Sequence, residues 1–281
     1  MSLRDSRVLP DLQVLPLDKL VLHEEADPRR VERLAQRLVE DNRLKNPPVV
    51  APIPGTDRYV VLDGANRVAA LVQLGSPHVV AQVVRYEDPG VELDTWYHVV
   101  AGISREEFSL ALERVAGMRL VPSTLDEARE ALAIGDAAAY IVFSDAVYQV
   151  RNGGGPGRLS DIHLLNRLVA AYKGRANIYR ASNDVFEKQA PIHPDITALV
   201  VFPKYRPADI MMLARNGDKV PSGITRHIIP GRALRINLPL SFVMEDKPIA
   251  EKQAWLQQWI RDRANANRIR FYSESTFLFD E

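Results

Sequence analysis

Residues Tyr59 to Leu71, "YVVLDGANRVAAL", interrupt an apolar pattern with groups that folding does not ask for. A strand-like run ends in Asp63 and Gly64, and a helical pattern begins with Asn66 and Arg67 in its first turn. This layout suits an anion. Glycine lets the backbone come close, the first amides of a helix have no intrahelical acceptor, and Arg67 adds a charged fork. Asp63 suits a magnesium ion placed against phosphate oxygens, since that ion is commonly held by one or two carboxylates plus its substrate. A plainer reading fits the residues as well: Asp63 caps the helix and Arg67 is a solvated surface residue.

Leu22 to Pro28, "LHEEADP", sets His23 beside Glu24, Glu25 and Asp27 ahead of a second helix. Acidic residues favour a helix start through its dipole; the alternative makes one glutamate a general base. In "TWYHVV" Trp96 and His98 stand two apart, which puts them on one face of an extended segment, although such residues singly belong more often to a core. The glycine-rich "RNGGGPGR" from Arg151 lacks the Gly-Lys-Ser/Thr ending of a phosphate loop and fits a turn. Trp255 and Trp259, four apart, fit a buried helical stripe, and Arg261, Arg263, Arg268 and Arg270 a solvated helix end. The six histidines contain no His-Glu-x-x-His spacing, which argues against a protein-built zinc site.

Positioning these groups requires a mixed set of elements. Asp27 as N-cap and Pro28 as first residue start a helix whose inward face is Val31, Leu34, Ala35, Leu38 and Val39. "PPVVAPI" and "YVVL" form strands about the turn "PGTD"; a helix from Asn66 to Leu74 buries Val68, Leu71 and Val72 and stops at Gly75. "HVVAQVV" is a further strand, and a helix covers residues 105 to 116. The texture changes at "GMRLVPST", Gly117 to Thr124, where a domain boundary is placed. Beyond it strands and helices alternate, with helices from Ser160, Pro207 and Pro248 and a terminal strand "IRFYSESTFLF". The fold class is α+β.

The chain of 281 residues is long enough for two domains, and its 46% hydrophobic and 26% charged composition is that of a globular protein. No apolar run suggests a membrane span, and "MSLRDSRVLP" lacks a signal-peptide core, so a cytoplasmic protein is expected. With no cysteine, disulfides, thiolate catalysis and cysteine-bound metals are excluded. Lys+Arg and Asp+Glu balance at 36 each, which argues against a protein dominated by nucleic-acid backbone binding.

"LHEE", "DGANRVAAL" and "TWYHVV", in this order, resemble the ParB/sulfiredoxin-like superfamily and, within it, the free L-serine kinases. Val220 to Val243, "VPSGITRHIIPGRALRINLPLSFV", and the closing "RFYSESTFLFDE" are similar to a member of that family that serves siderophore biosynthesis. The resemblance implies a ParB/sulfiredoxin-like nucleotide-binding catalytic domain over residues 1–117 and a second α+β domain over 118–281. It implies transfer of a phosphoryl group from ATP or ADP, with Mg2+, to free L-serine. Glu24, in its place after Leu-His and followed by Glu25, is the implied base. Asp63 with magnesium would organise the nucleotide; Gly64, Asn66 and Arg67 would hold its phosphates; Trp96 and His98 would line the amino-acid pocket. The alternative is a ParB-like regulator that binds nucleotide and DNA without turnover, for which the chain shows neither a helix-turn-helix pattern nor excess basic charge.

Overall fold

The computed structural model describes residues 9–153 and 162–272. The expected glycine-rich turn lies outside the described residues from 154 onward, as does the terminal strand from 273 onward. The α+β class is observed, and the chain forms two compact units that it enters and leaves repeatedly. Unit 1 comprises residues 1–21, 26–91 and 229–281; unit 2 comprises 22–25 and 92–228.

Unit 1 is built on a mixed five-stranded sheet in the order Leu12–Pro16, His78–Val83, Val49–Pro52, Tyr59–Asp63 and Leu20–Leu22. Its central strands are mainly apolar, with Val50, Val60, Val79 and Val80 fully buried, as expected where both faces are covered; His78 and Gln82 are buried polar exceptions. The helix Pro28–Asp41 starts as the sequence predicts: the Asp27 carboxylate accepts from the Arg30 amide, and Pro28 occupies the first turn. It ends at Asn42 in the left-handed conformation. The following Ala65–Gln73 helix buries Val68 and Leu71. Val39 and Val72, expected inward, are exposed because each lies past the edge of its helix's buried stripe.

The helix Ile249–Asn265 covers an edge of this sheet. The Gln253 side chain accepts from the Val14 amide at 2.7 Å and donates to the Leu12 carbonyl at 3.3 Å, satisfying edge groups that would otherwise seek another strand. The expected tryptophan stripe is corrected here. Lys252 and Leu256 are the buried residues of this helix; Trp255, one position before Leu256 and so about 100° round the helix, is 43% exposed. Its ring packs on Phe242, with centroids 4.5 Å apart, and stacks on Trp259 at 6.4 Å.

Unit 2 holds an antiparallel six-stranded sheet in the order Asn177–Ala181, Tyr97–Ala101, Ile196–Val201, Ala139–Val142, Val147–Asn152 and Met118–Ser123. The helix Leu125–Ile134 packs Ala128 against Val99, Tyr140, Leu199 and Val201. Helices Arg105–Glu113 and Ile162–Tyr172 meet through Phe108 and Tyr172. A separate two-stranded ribbon pairs Glu92–Thr95 with Thr225–Ile228.

This partition differs from the single cut expected at 117/118. The stretch Gly117 to Thr124, where the boundary is placed, contains the strand Met118–Ser123, paired along its length with Val147–Asn152. Strand Tyr97–Ala101, before that cut, is paired on both sides by strands after it. Unit 1 in turn takes its C-terminal helix from the far end of the chain.

Candidate active site

In unit 1 the strand Tyr59–Asp63 delivers Asp63 to the start of the Ala65–Gln73 helix. Gly64 is the N-cap, at φ +93°. A β-carbon there would lie 3.1 Å from Pro48 Cβ and 3.2 Å from Pro48 Cα, so the conformation and the close approach both require glycine. The helix has no side-chain cap, which removes the plainer reading of Asp63. Its first internal bond runs from the Val68 amide to the Gly64 carbonyl, and the amides before it are the ones that a helix start offers to an anion.

The side chains of this turn have distinct tasks. Arg67 Nη1 donates to the Pro47 carbonyl at 3.4 Å. Asn66 Oδ1 accepts from the Asp27 amide at 2.7 Å, so it fastens the start of the Pro28–Asp41 helix and its carbonyl is committed there. Asp63 pairs through Oδ2 with Arg232, both side chains being partly exposed.

In unit 2 Glu24 lies in the short visit of residues 22–25. Its backbone bridges to Val220 in parallel. Both of its carboxylate oxygens are engaged: Oε2 accepts from the Gly223 amide at 3.0 Å, and Oε1 accepts from the Thr225 amide at 2.8 Å and from the Thr225 hydroxyl. Buried His23 is linked to the same hydroxyl, Nε2 to Oγ1 at 2.9 Å. Glu25 is exposed and contributes its amide to the Val220 carbonyl. The two glutamates that the sequence leaves side by side thus have different surroundings.

Trp96 joins the same loop. Its amide donates to the Ile224 carbonyl at 2.8 Å, and the Arg226 guanidinium lies 4.3 Å over its ring. Arg226 is also 3.8 Å from Asp94. His98 is placed elsewhere. It is 3% exposed, its Nδ1 lies 2.8 Å from the Tyr172 hydroxyl, and its ring meets Phe202 edge-on at 4.9 Å. Burial pushes its pKa down to about 3. Trp96 and His98 do not share a pocket face because the extended run is broken between them: Trp96 falls between the strands Glu92–Thr95 and Tyr97–Ala101 and follows the ribbon, whereas His98 enters the sheet.

The structure therefore brings Asp63, Gly64, Asn66 and Arg67 together in unit 1 and Glu24 and Trp96 together in unit 2, and leaves His98 in the core of unit 2. Sequence reasoning missed Gly223, Thr225 and Arg226, which surround Glu24 and Trp96, and Arg232, which pairs with Asp63. For the first three the signal was the mainly polar stretch Ser222 to His227, interrupted by Ile224, between apolar residues.

Among the described residues no cluster of three or more His, Asp or Glu side chains could hold a metal ion. Asp63 offers a single carboxylate, paired here with Arg232, and an ion held by one carboxylate would take most of its ligands from phosphate and water. Bound there, the ion would neutralise phosphate charge.

No family model matches the chain. In fold, the protein has the architecture of a free serine kinase: a solved structure of such a kinase in complex with AMP covers 84% of this chain and 95% of its own, with a TM-score of 0.73 and 20% identity. In sequence, the chain is similar to curated L-serine kinases over most of its length. It is 26% identical over 279 residues to the ATP-dependent L-serine kinase SbnI of Staphylococcus aureus, across 96% of this chain and 97% of that one. It is also 24% identical to the ADP-dependent L-serine kinase SerK of Thermococcus kodakarensis, across 82% and 92%.

Proposed function

We propose that this protein is a kinase of free L-serine that transfers the terminal phosphoryl group of a nucleotide to the serine hydroxyl. The observation that carries the reading is the oriented carboxylate of Glu24, in a chain similar to an L-serine kinase over 96% of its length.

Glu24 takes the proton of the serine hydroxyl as that oxygen forms a bond to the terminal phosphorus; the bond from phosphorus to the bridging oxygen breaks, and the shorter nucleotide leaves. Because Gly223 and Thr225 fix both carboxylate oxygens, the base needs no reorientation for the step. Trp96, with Arg226 over its ring, borders the amino acid. The Gly64 turn and Arg67 hold the phosphates, and Asp63 is the carboxylate for magnesium. Phosphoryl transfer needs mainly positioning and charge stabilisation, so this set is chemically sufficient.

ATP is the donor in this reading, following the relative matched over 97% of its length. ADP is the competing donor, named in the Thermococcus relative. No helix among the described residues is long and apolar enough to cross a membrane, and a cytoplasmic location is part of the proposal. Phosphorus NMR of the protein with magnesium, L-serine and either nucleotide tests it. A phosphomonoester signal that appears only with serine is expected, and its donor is thereby identified. Intact nucleotide with both donors, while binding persists, would overturn the reading.

A further inference from the structure

Arg232 lies in the segment Ile229–Asn237, which returns to unit 1 after the ribbon strand Thr225–Ile228. The segment is fastened on both sides of this one residue. Gln82, in the strand His78–Val83 and 3% exposed, donates through Nε2 to the Gly231 carbonyl at 3.2 Å. Its Oε1 accepts from the Ala233 amide at 2.8 Å. Further along, the Arg235 amide donates to Asn46 Oδ1 at 2.7 Å, and Arg235 and Asn237 both adopt positive φ. Gln82 thus spends both ends of a buried amide on the two neighbours of Arg232, and so fixes where Arg232 can project. Its guanidinium meets Asp63 at the Gly64 turn.

Stability is a weak explanation for this arrangement. An ion pair between partly exposed side chains contributes about 0–1 kcal/mol, and Asp63 and Arg232 are 42% and 36% exposed. What the bracket does secure is a second guanidinium at the turn that already carries Arg67.

We propose that Arg232 is a phosphate-binding residue of this kinase, and that Gln82 is the positioning residue that aims it. The inference rests on the phosphate role of the Gly64 turn. Arg232 exchanges the Asp63 carboxylate for a nucleotide phosphate, so the same carboxylate becomes available to magnesium as the nucleotide binds. A planar, permanently charged fork suits both partners.

Calorimetric titration of the full chain with ADP and with adenosine tests this. Arg232→Ala is expected to weaken ADP binding about tenfold or more and to leave adenosine binding unchanged, with Arg232→Lys between that variant and the parent. Gln82→Met is expected to raise the nucleotide KM several-fold while the serine KM stays constant, and the double variant should bind ADP no more weakly than Arg232→Ala alone. Unchanged or tighter ADP binding by Arg232→Ala, when Arg67→Ala does weaken it, overturns the proposal and spares the phosphate reading. If Arg67→Ala also leaves ADP binding intact, the phosphate reading itself falls. Additive losses in the double variant would remove Gln82 from the proposal. Arg232 is partly exposed, so its variants decide its own role even if Gln82→Met does not fold.

Discussion

Two carboxylates in this molecule are held in opposite ways. Glu24 is gripped by the backbone amides of Gly223 and Thr225 and by one short hydroxyl side chain. Asp63 is met by the end of a long, partly exposed arginine. Amides within a folded loop cannot leave without the loop moving, whereas an arginine can swing away at the cost of a surface ion pair. On the proposed reading, the difference separates a base whose orientation must persist through a reaction from a carboxylate whose partner can change when a ligand arrives. Beside Asp63, glycine is needed at position 64 because the backbone there has positive φ and lies close against Pro48.

Breaking the rigid side of this comparison should have the largest effect. Glu24→Gln keeps the shape but removes the base, and turnover of L-serine is expected to fall by about 10²–10⁴-fold while calorimetric nucleotide affinity stays near that of the parent. A fully active variant would move the base elsewhere. On the exchangeable side, Arg67→Ala should weaken nucleotide binding by about 1.5–3 kcal/mol, the range for a charged hydrogen bond, and unchanged affinity would contradict its phosphate role.

A third outcome concerns His98, which belongs to neither region. Its folded pKa is lowered to about 3 from an ordinary 6.5, so between those values the unfolded chain binds the extra proton. Its contribution to stability is complete above about pH 6.5 and is lost as pH falls, by up to about 1.4 kcal/mol per pH unit. Urea midpoints measured from pH 7.5 to 5 should fall with pH, and His98→Gln should flatten the fall, leaving the part due to buried His78, whose pKa burial also lowers, while the serine KM stays unchanged. A raised serine KM in that variant would restore His98 to the pocket. The smallest effect is expected for Trp96→Ala, which removes a ring under Arg226 worth about 0.5–2 kcal/mol. The serine KM should rise more than the nucleotide KM, and equal changes in both would detach Trp96 from the amino acid.

Most elements near the Gly64 turn were legible because their signals are local. The Asp27-Pro28 start, the strand into Asp63 and the glycine-to-helix join all depend on neighbours within a few residues. The same local logic was available for the overlooked helix Leu125–Ile134, whose Thr124 and Glu127 form a reciprocal capping box. It was passed over because the preceding half-buried strand Met118–Ser123 alternates too weakly to stand out as a strand, and the stretch reads as a domain boundary. His98 was misplaced for a related reason: a period-two argument assumes an unbroken strand, and the chain changes partners at Trp96.

The sequence by itself determined the α+β class, the absence of thiol chemistry and the strand-glycine-helix turn that carries Asp63 and Arg67. These follow from residue types and short-range periodicity, which act through backbone conformation and need no distant partner. Only the tertiary structure decided which glutamate is held, since the donors to Glu24 lie about 200 residues away in the chain. It alone decided that Gln82 brackets Arg232 and that His98 is sealed in a core. Hydrogen bonds between segments so far apart leave no spacing rule in the sequence, because folding, and not chain connectivity, brings their atoms within reach.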